Sequence, residues 1–240
     1  GTRSKPLAEL AKSFWEFCLL HKLSVRAEYL PGKFNTIADW HSRFLHDASD
    51  WRLHPSVFRL ILKKWGPFHI DLFASRLNSH LPHFFSWRPD PLALATDAFA
   101  QDWSLSTNYA FPPFNMINRV LAQVRRQRAT LVLVVPFWQS QVWFPLLLDL
   151  SMDFPILLPI FPNLLQDPLG GRHDLVLNNT LRLSAWKITG TPIQVMSFHQ
   201  RLPITSANPG LQVLPKLTNH PGLYGLAGVW ENLSIPFQQI

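Results

Sequence analysis

The chain has 240 residues, of which 47% are hydrophobic and only 15% charged, a balance that excludes a disordered polyelectrolyte and supports a buried core. A formal charge of +7 favours a polyanionic partner such as nucleic acid, although a solvated basic surface fits that number equally well. A single cysteine, Cys18, excludes an internal disulfide framework and a cysteine-ligated zinc site.

The opening Gly1-Thr2-Arg3-Ser4-Lys5-Pro6 reads as neither a signal peptide nor a start, so a piece of a longer chain is expected. Leu7, Leu10, Ala11, Phe14, Phe17 and Cys18 recur at helical spacing and predict an amphipathic helix. The alternation from Ser24 to Leu30 predicts a half-buried strand, closed by the turn Pro31-Gly32. Asn35 can cap a second helix carrying Ile37, Ala38, Trp40 and Phe44, and a polar linker follows from His46 to Leu53.

A new unit starts at His54-Pro55-Ser56, with a helix through Val57, Leu60, Ile61 and Trp65 that stops at Gly66-Pro67. Phe68 to Phe73 reads as a buried strand, and Tyr109-Ala110-Phe111 as another, running into Pro112-Pro113 and a helix from about Asn115 to Arg126. Leu131 to Val135 is a strand, Gln139 to Leu150 a helix and Ile156 to Leu158 a strand. The apolar stretch from Val142 to Leu164 is interrupted by Asp149, Asp153 and prolines, so it predicts soluble core and no membrane span. Leu175 to Leu177 and Leu181 to Ile188 suit edge strands, and from Gly190 onward periodicity fades into what reads as a linker. This order of strands and helices predicts an α/β fold with a mostly parallel, doubly wound sheet.

Two constellations carry chemistry. The first runs from Pro31 to Arg43, with Pro-Gly, Asn35, Ala38-Asp39 and Ser42-Arg43. It resembles the closing motif of retroelement ribonuclease H domains. That resemblance implies a helix–strand–helix fragment over 1–45, with Asp39 as the last of the carboxylates that hold magnesium for phosphodiester cleavage. One carboxylate cannot assemble a two-metal centre, so the fragment is expected to be inactive by itself.

The second constellation comprises Asp71-Leu72-Phe73-Ala74-Ser75, Trp103, Phe111-Pro112-Pro113-Phe114, the strand to Pro136 and Trp143-Phe144. In this order the elements resemble phage-type Dam adenine-N6 methyltransferases. The resemblance implies that Asp71, Phe73 and Ala74 lie near S-adenosylmethionine. It also implies that Phe111, Pro112, Pro113 and Phe114 stand where an Asn/Asp-Pro-Pro-Tyr motif holds the adenine amine and stacks on a flipped base. Phe111 occupies the Asn/Asp position, and a phenyl ring accepts no hydrogen bond, so lost or altered chemistry is expected. No Gly-x-Gly loop is present, though that family is not defined by one.

Together the two resemblances are similar to the layout of DIRS-like retrotransposon polyproteins, in which this region adjoins a tyrosine recombinase. The stretch Leu181 to Lys187 looks like the connector in such elements. The implied organisation is a ribonuclease H fragment (1–45), a linker (46–53), a methyltransferase-like α/β domain (54–188) and a loop-rich linker (189–240). Arg119, Arg125, Arg126 and Arg128 cluster around the helix after Pro113 and suit phosphate contacts, or a solvated face. The histidines have no metal-ligand spacing, and no nucleophile elbow appears. Two functions stay open: an inactive methyltransferase-like module associated with DNA or an RNA–DNA hybrid and with flanking polyprotein domains, or an active S-adenosylmethionine-dependent DNA adenine methyltransferase. Either implies an intracellular location in cytoplasm or nucleus.

Overall fold

A computed structural model of the chain describes residues 5–26, 51–167, 171–203 and 223–238. It divides into two compact units, residues 1–46 and 47–240. In the first, helix α1 (Lys5–Leu20) forms where the periodicity predicts; of its apolar face Cys18 is buried, whereas Leu10, Phe14 and Phe17 are exposed. Ser24 to Arg26 form no strand. The remainder of the predicted strand, the second helix and Asp39 lie outside the described residues.

The second unit opens with strand β1 (Arg52–Leu53) and helix α2 (Pro55–Trp65). His54 Nδ1 accepts the Ser56 amide and Pro55 fills the first helical turn, which explains the start, while Gly66 in an extended conformation ends it. Val57, Phe58, Ile61 and Trp65 form its buried stripe. The central sheet contains β4 (Thr107–Ala110), β5 (Thr130–Pro136), β6 (Ile156–Leu157) and β8 (Leu183–Thr189), in the order β4-β5-β8-β6. β4 and β5 are parallel, whereas β8 runs antiparallel to both β5 and β6.

Beyond β4 the Asp71 segment continues this order. Asp71 bridges in parallel to Tyr109 on one side and to Phe84 on the other, next to the short parallel pair β2 (Phe85–Ser86) and β3 (Ala95–Thr96). The Tyr109 amide donates to Ile70 O at 2.9 Å and the Leu72 amide to Tyr109 O at 2.9 Å, so these two segments are direct neighbours. β7 (Leu165–Gln166) pairs separately with β1.

Helices α3 (Ile117–Gln127) and α4 (Phe144–Asp149) cover one face of the sheet, packing against Leu131, Leu133, Val135 and Trp186. Helix α2 covers the other, against Val132, Val134 and Ala185. The sheet is therefore mixed, not mostly parallel as expected. The difference comes from Leu181 to Ile188, read as an edge: it is inserted between β5 and β6, and six of the seven β8 residues are buried. Such a continuous buried run is the mark of an inner strand. The stretch likened to a connector is thus an inner strand of the sheet.

Three further expectations change. The segment expected as a strand at Leu175 to Leu177 is the short helix α5 (Asp174–Leu177), whose first turn is capped by His173 Nδ1 on the Leu175 amide. The helix expected from Gln139 shrinks to α4, because residues 139–143 form turns and a bend before the helix starts at Phe144, with Pro145 in its first turn. The stretch from 189, read as a loop-rich linker, supplies helix α6 (Pro192–His199) and a hairpin of β9 (Leu223–Trp230) and β10 (Leu233–Gln238). Phe198, Ala227, Ile235 and Phe237 join the same core as α3 and α4. Trp65 Nε1 donates to Asp153 Oδ2 at 2.8 Å, and the Gln238 amide donates to Pro155 O at 2.8 Å, fastening the end of the hairpin near α2.

Close approach of this hairpin to α4 requires Gly228. A Cβ there would stand 2.7 Å from Leu148 Cδ2 and 3.3 Å from Phe144 Cε1. Gly228→Val is expected to destabilise the protein by about 1–3 kcal/mol through overpacking. Urea unfolding checks this, and unchanged stability would mean that the hairpin does not pack on α4.

Candidate functional site

In the second unit the chain runs from the Asp71 segment outward through β2 and β3, then returns to β4 on the opposite side. The strand order therefore reverses between Asp71 and Tyr109. Open α/β sheets bind ligands beyond the carboxyl ends of their strands at such a reversal, where the diverging loops leave a crevice. A cavity of about 360 Å³ lies there, within the size range of small-molecule sites.

Its floor is Leu72, Phe73 and Ala74, which follow the Asp71 bridge, together with Phe85 and Ser86 of β2. Phe111, Pro113 and Asn115, just beyond β4, form the wall on the other side of the reversal. Trp87 and Phe99 add aromatic surface, and Asn78 and Asp97 add polar groups. Asp97 has φ +55°, rare for a residue with a side chain, and its Oδ1 accepts the Phe99 amide at 3.0 Å. Backbone strain of this kind collects at ligand-facing positions. Asn78 is held inward because its Oδ1 accepts the Ser75 amide at 2.6 Å. Trp103 stands behind the cavity, 1% exposed, with Nε1 donating to Ala98 O at 2.7 Å and its ring edge-on to Phe73. It supports the wall and does not line the cavity.

The sequence-expected residues divide accordingly. Phe73, Ala74, Phe111 and Pro113 meet at the cavity. Pro112 is buried and Phe114 is half-buried, edge-on to Trp138 at 5.5 Å. Asp71 does not line the cavity: in a strand successive side chains point to opposite faces, so Leu72 faces the cavity and Asp71 the other layer. There Tyr109, paired with it across the ladder, His80 and Arg52 surround it. Burial pushes the Asp71 carboxyl up to about 7, against the opposing pull of the His80 and Phe73 amides and the Arg52 guanidinium.

The four arginines are all exposed and make different contacts. Arg119 lays its guanidinium 3.8 Å from the centroid of the Phe99 ring, at the aromatic wall of the cavity. Arg125 is paired with Asp149, Arg126 donates to Gln123 Oε1 at 2.6 Å, and Arg128 ends α3 in the left-handed conformation. Sequence reasoning missed Asn78, Ser86, Trp87, Asp97, Phe99 and Asn115. No periodicity marks them, since β2 and β3 are two residues each. Among the described residues no group of three or more metal-ligating side chains comes together, and no helix is long and apolar enough to cross a membrane.

A mixed sheet with one antiparallel inner strand, a strand-order reversal and a cavity against a Pro-Pro turn are consistent with a methyltransferase-like α/β fold. Residues 42–154 match the family model described as DNA N-6-adenine-methyltransferase (Dam), so the chain contains a Dam methyltransferase-like domain. No curated protein matches the chain significantly. The matched span ends before β6, so β6, β8, α6 and the hairpin lie beyond it.

Proposed function

We propose that this domain binds S-adenosylmethionine in the cavity at the strand-order reversal and associates with DNA, but does not transfer methyl groups to adenine N6. The observation that carries the reading is Phe111 at the cavity wall within the matched family span. The residues present suit the cofactor: an apolar floor for its carbon skeleton, aromatic surface at Trp87 and Phe99 for a purine, and Ser86, Asp97, Asn78 and Asn115 for its hydroxyl and amino groups. When bound, the cofactor supplies an electrophilic methyl group.

At the acceptor side the chain supplies hydrocarbon where the family's chemistry needs an oxygen. An amine becomes more nucleophilic as acceptors hold its hydrogens, and the ring of Phe111 holds none. Association with DNA rests on family membership of the matched span and on cationic groups such as Arg119 beside the cavity. The wider reading is a retroelement polyprotein segment inside the cell. It is supported by the ribonuclease H-like motif around Asp39 preceding a methyltransferase-like domain. Asp39 is then a magnesium ligand only in an intact ribonuclease H.

One observation favours the second reading, an active adenine methyltransferase. The backbone carbonyls of Phe111 and Pro112 accept no hydrogen bond from the described residues, so two acceptors remain beside the wall. Calorimetry with S-adenosylmethionine, paired with methyl transfer to DNA, separates the two. Binding is expected without transfer; transfer by the unaltered protein would overturn the first reading, and absence of binding would overturn both. Ala74→Trp, which fills the floor, is expected to weaken cofactor binding by about tenfold or more, roughly 1.4 kcal/mol.

A further inference from the structure

The loop between β2 and β3 holds an aromatic ring out toward water. Trp87 is 63% exposed, although it lines the cavity. Among the described residues no other ring stacks on it and its indole Nε1 makes no hydrogen bond.

The loop itself is tied down at several points. Ser86 Oγ donates to Arg88 O at 2.5 Å, which brackets Trp87, and the Leu94 amide donates to Phe84 O at 2.9 Å. Arg76 Nε meets Asp90 Oδ2 at 2.8 Å with both side chains largely buried, and Asp90 Oδ1 accepts the Leu92 amide at 2.9 Å. A single exposed apolar side chain is ordinary on any surface. One presented on a fastened loop beside a cavity meets a ligand with little ordering cost.

A cation stands at the same cavity. Arg119 of α3 lays its guanidinium 3.8 Å from the centroid of the Phe99 ring, and Phe99 lines the cavity with Trp87. Arg119 is exposed, and among the described residues no carboxylate pairs with it, in contrast to Arg76 and Arg125. Stacking on the ring orients the guanidinium and leaves its N–H donors for an anion. An open indole face and an oriented cation complement one ligand chemistry, a nucleotide whose base is free to stack and whose phosphate is free to pair.

We propose that Trp87 and Arg119 form a docking site for single-stranded DNA, the indole stacking on a base outside the cavity and the guanidinium holding a phosphate. The choice of DNA rests on the association with DNA read above, whereas the preference for an unpaired strand rests on Trp87. Inside a duplex both faces of a base are covered by its neighbours, so an indole gains stacking only where the strand is open. The phosphate contact carries no sequence information and weakens with salt.

Fluorescence anisotropy of the full chain, without cofactor, tests this with a short labelled single strand and the duplex of the same sequence. The single strand is expected to bind about tenfold more tightly than the duplex. Trp87→Ala is expected to weaken single-strand binding about tenfold or more and to leave duplex binding nearly unchanged, with Trp87→Phe in between. Arg119→Gln is expected to lower the salt slope of single-strand binding by about 0.7. Equal binding of strand and duplex, or a single-strand affinity unmoved by Trp87→Ala, overturns the proposal and leaves the association with DNA standing. Binding of neither form overturns both. S-adenosylhomocysteine affinity is measured alongside: a loss there in Trp87→Ala, with single-strand affinity unchanged, assigns the ring to the cofactor and also overturns the proposal.

Discussion

Phe111→Asn is expected to create or raise methyl transfer to adenine by about 10²–10³-fold over the unaltered protein. That is the size of effect seen when one well-placed hydrogen-bonding group is removed from an active site, about 2.7–4 kcal/mol. The side chain at 111 stands at the cavity wall immediately after β4, on the same side as Pro113 and Asn115. An amide there would add a carbonyl acceptor beside the backbone carbonyls of Phe111 and Pro112. Asparagine is preferable to aspartate, because a second carboxylate would share the cavity with Asp97. The loss of the Phe111–Phe114 ring contact, at 6.3 Å, should be tolerated because position 111 is only half-buried. Radiolabel transfer to adenine-containing DNA checks the outcome. If the variant binds S-adenosylmethionine and DNA yet transfers nothing, Phe111 is not what stops the chemistry.

The second large effect concerns stability. Trp186→Ala is expected to lower unfolding free energy by about 3–5 kcal/mol, a large share of the ~5–15 kcal/mol that holds a domain together. Trp186 is wholly buried in β8, donates Nε1 to Ser184 Oγ at 2.8 Å, and sets its ring edge-on to Phe144 of α4 and Phe237 of β10. It therefore joins the sheet, a helix of the matched family span and the hairpin beyond it. Denaturant unfolding measures the loss. Trp186→Phe, which keeps most of the ring contacts, should lose less and gives a folded reference if the alanine variant does not fold. A loss under about 1 kcal/mol for the alanine variant would mean that the hairpin and the sheet do not share this core.

The sequence by itself determined the elements whose signal is local. Helix α2 was legible because its buried stripe recurs every three or four residues between His54-Pro55 and Gly66-Pro67. β5 was legible because seven residues, mostly branched and apolar, run into Pro136. The Phe111 site was legible because the Pro-Pro turn sits at a strand end. These features depend on neighbours in the chain, and sequence reading sees such neighbours well.

Only the tertiary structure decided the rest. β8 became an inner antiparallel strand because two sheet neighbours compete for its buried run, and nothing within the run says which. Asp71 lies away from the cavity because the alternation of the strand turned it to the opposite layer, among Tyr109, His80 and Arg52. Asp97, Ser86 and Asn78 entered that site from loops and two-residue strands whose positions are set by long-range pairing. Where a side chain points is a question of register and packing partners, and those are properties of the folded sheet before they are properties of the residue.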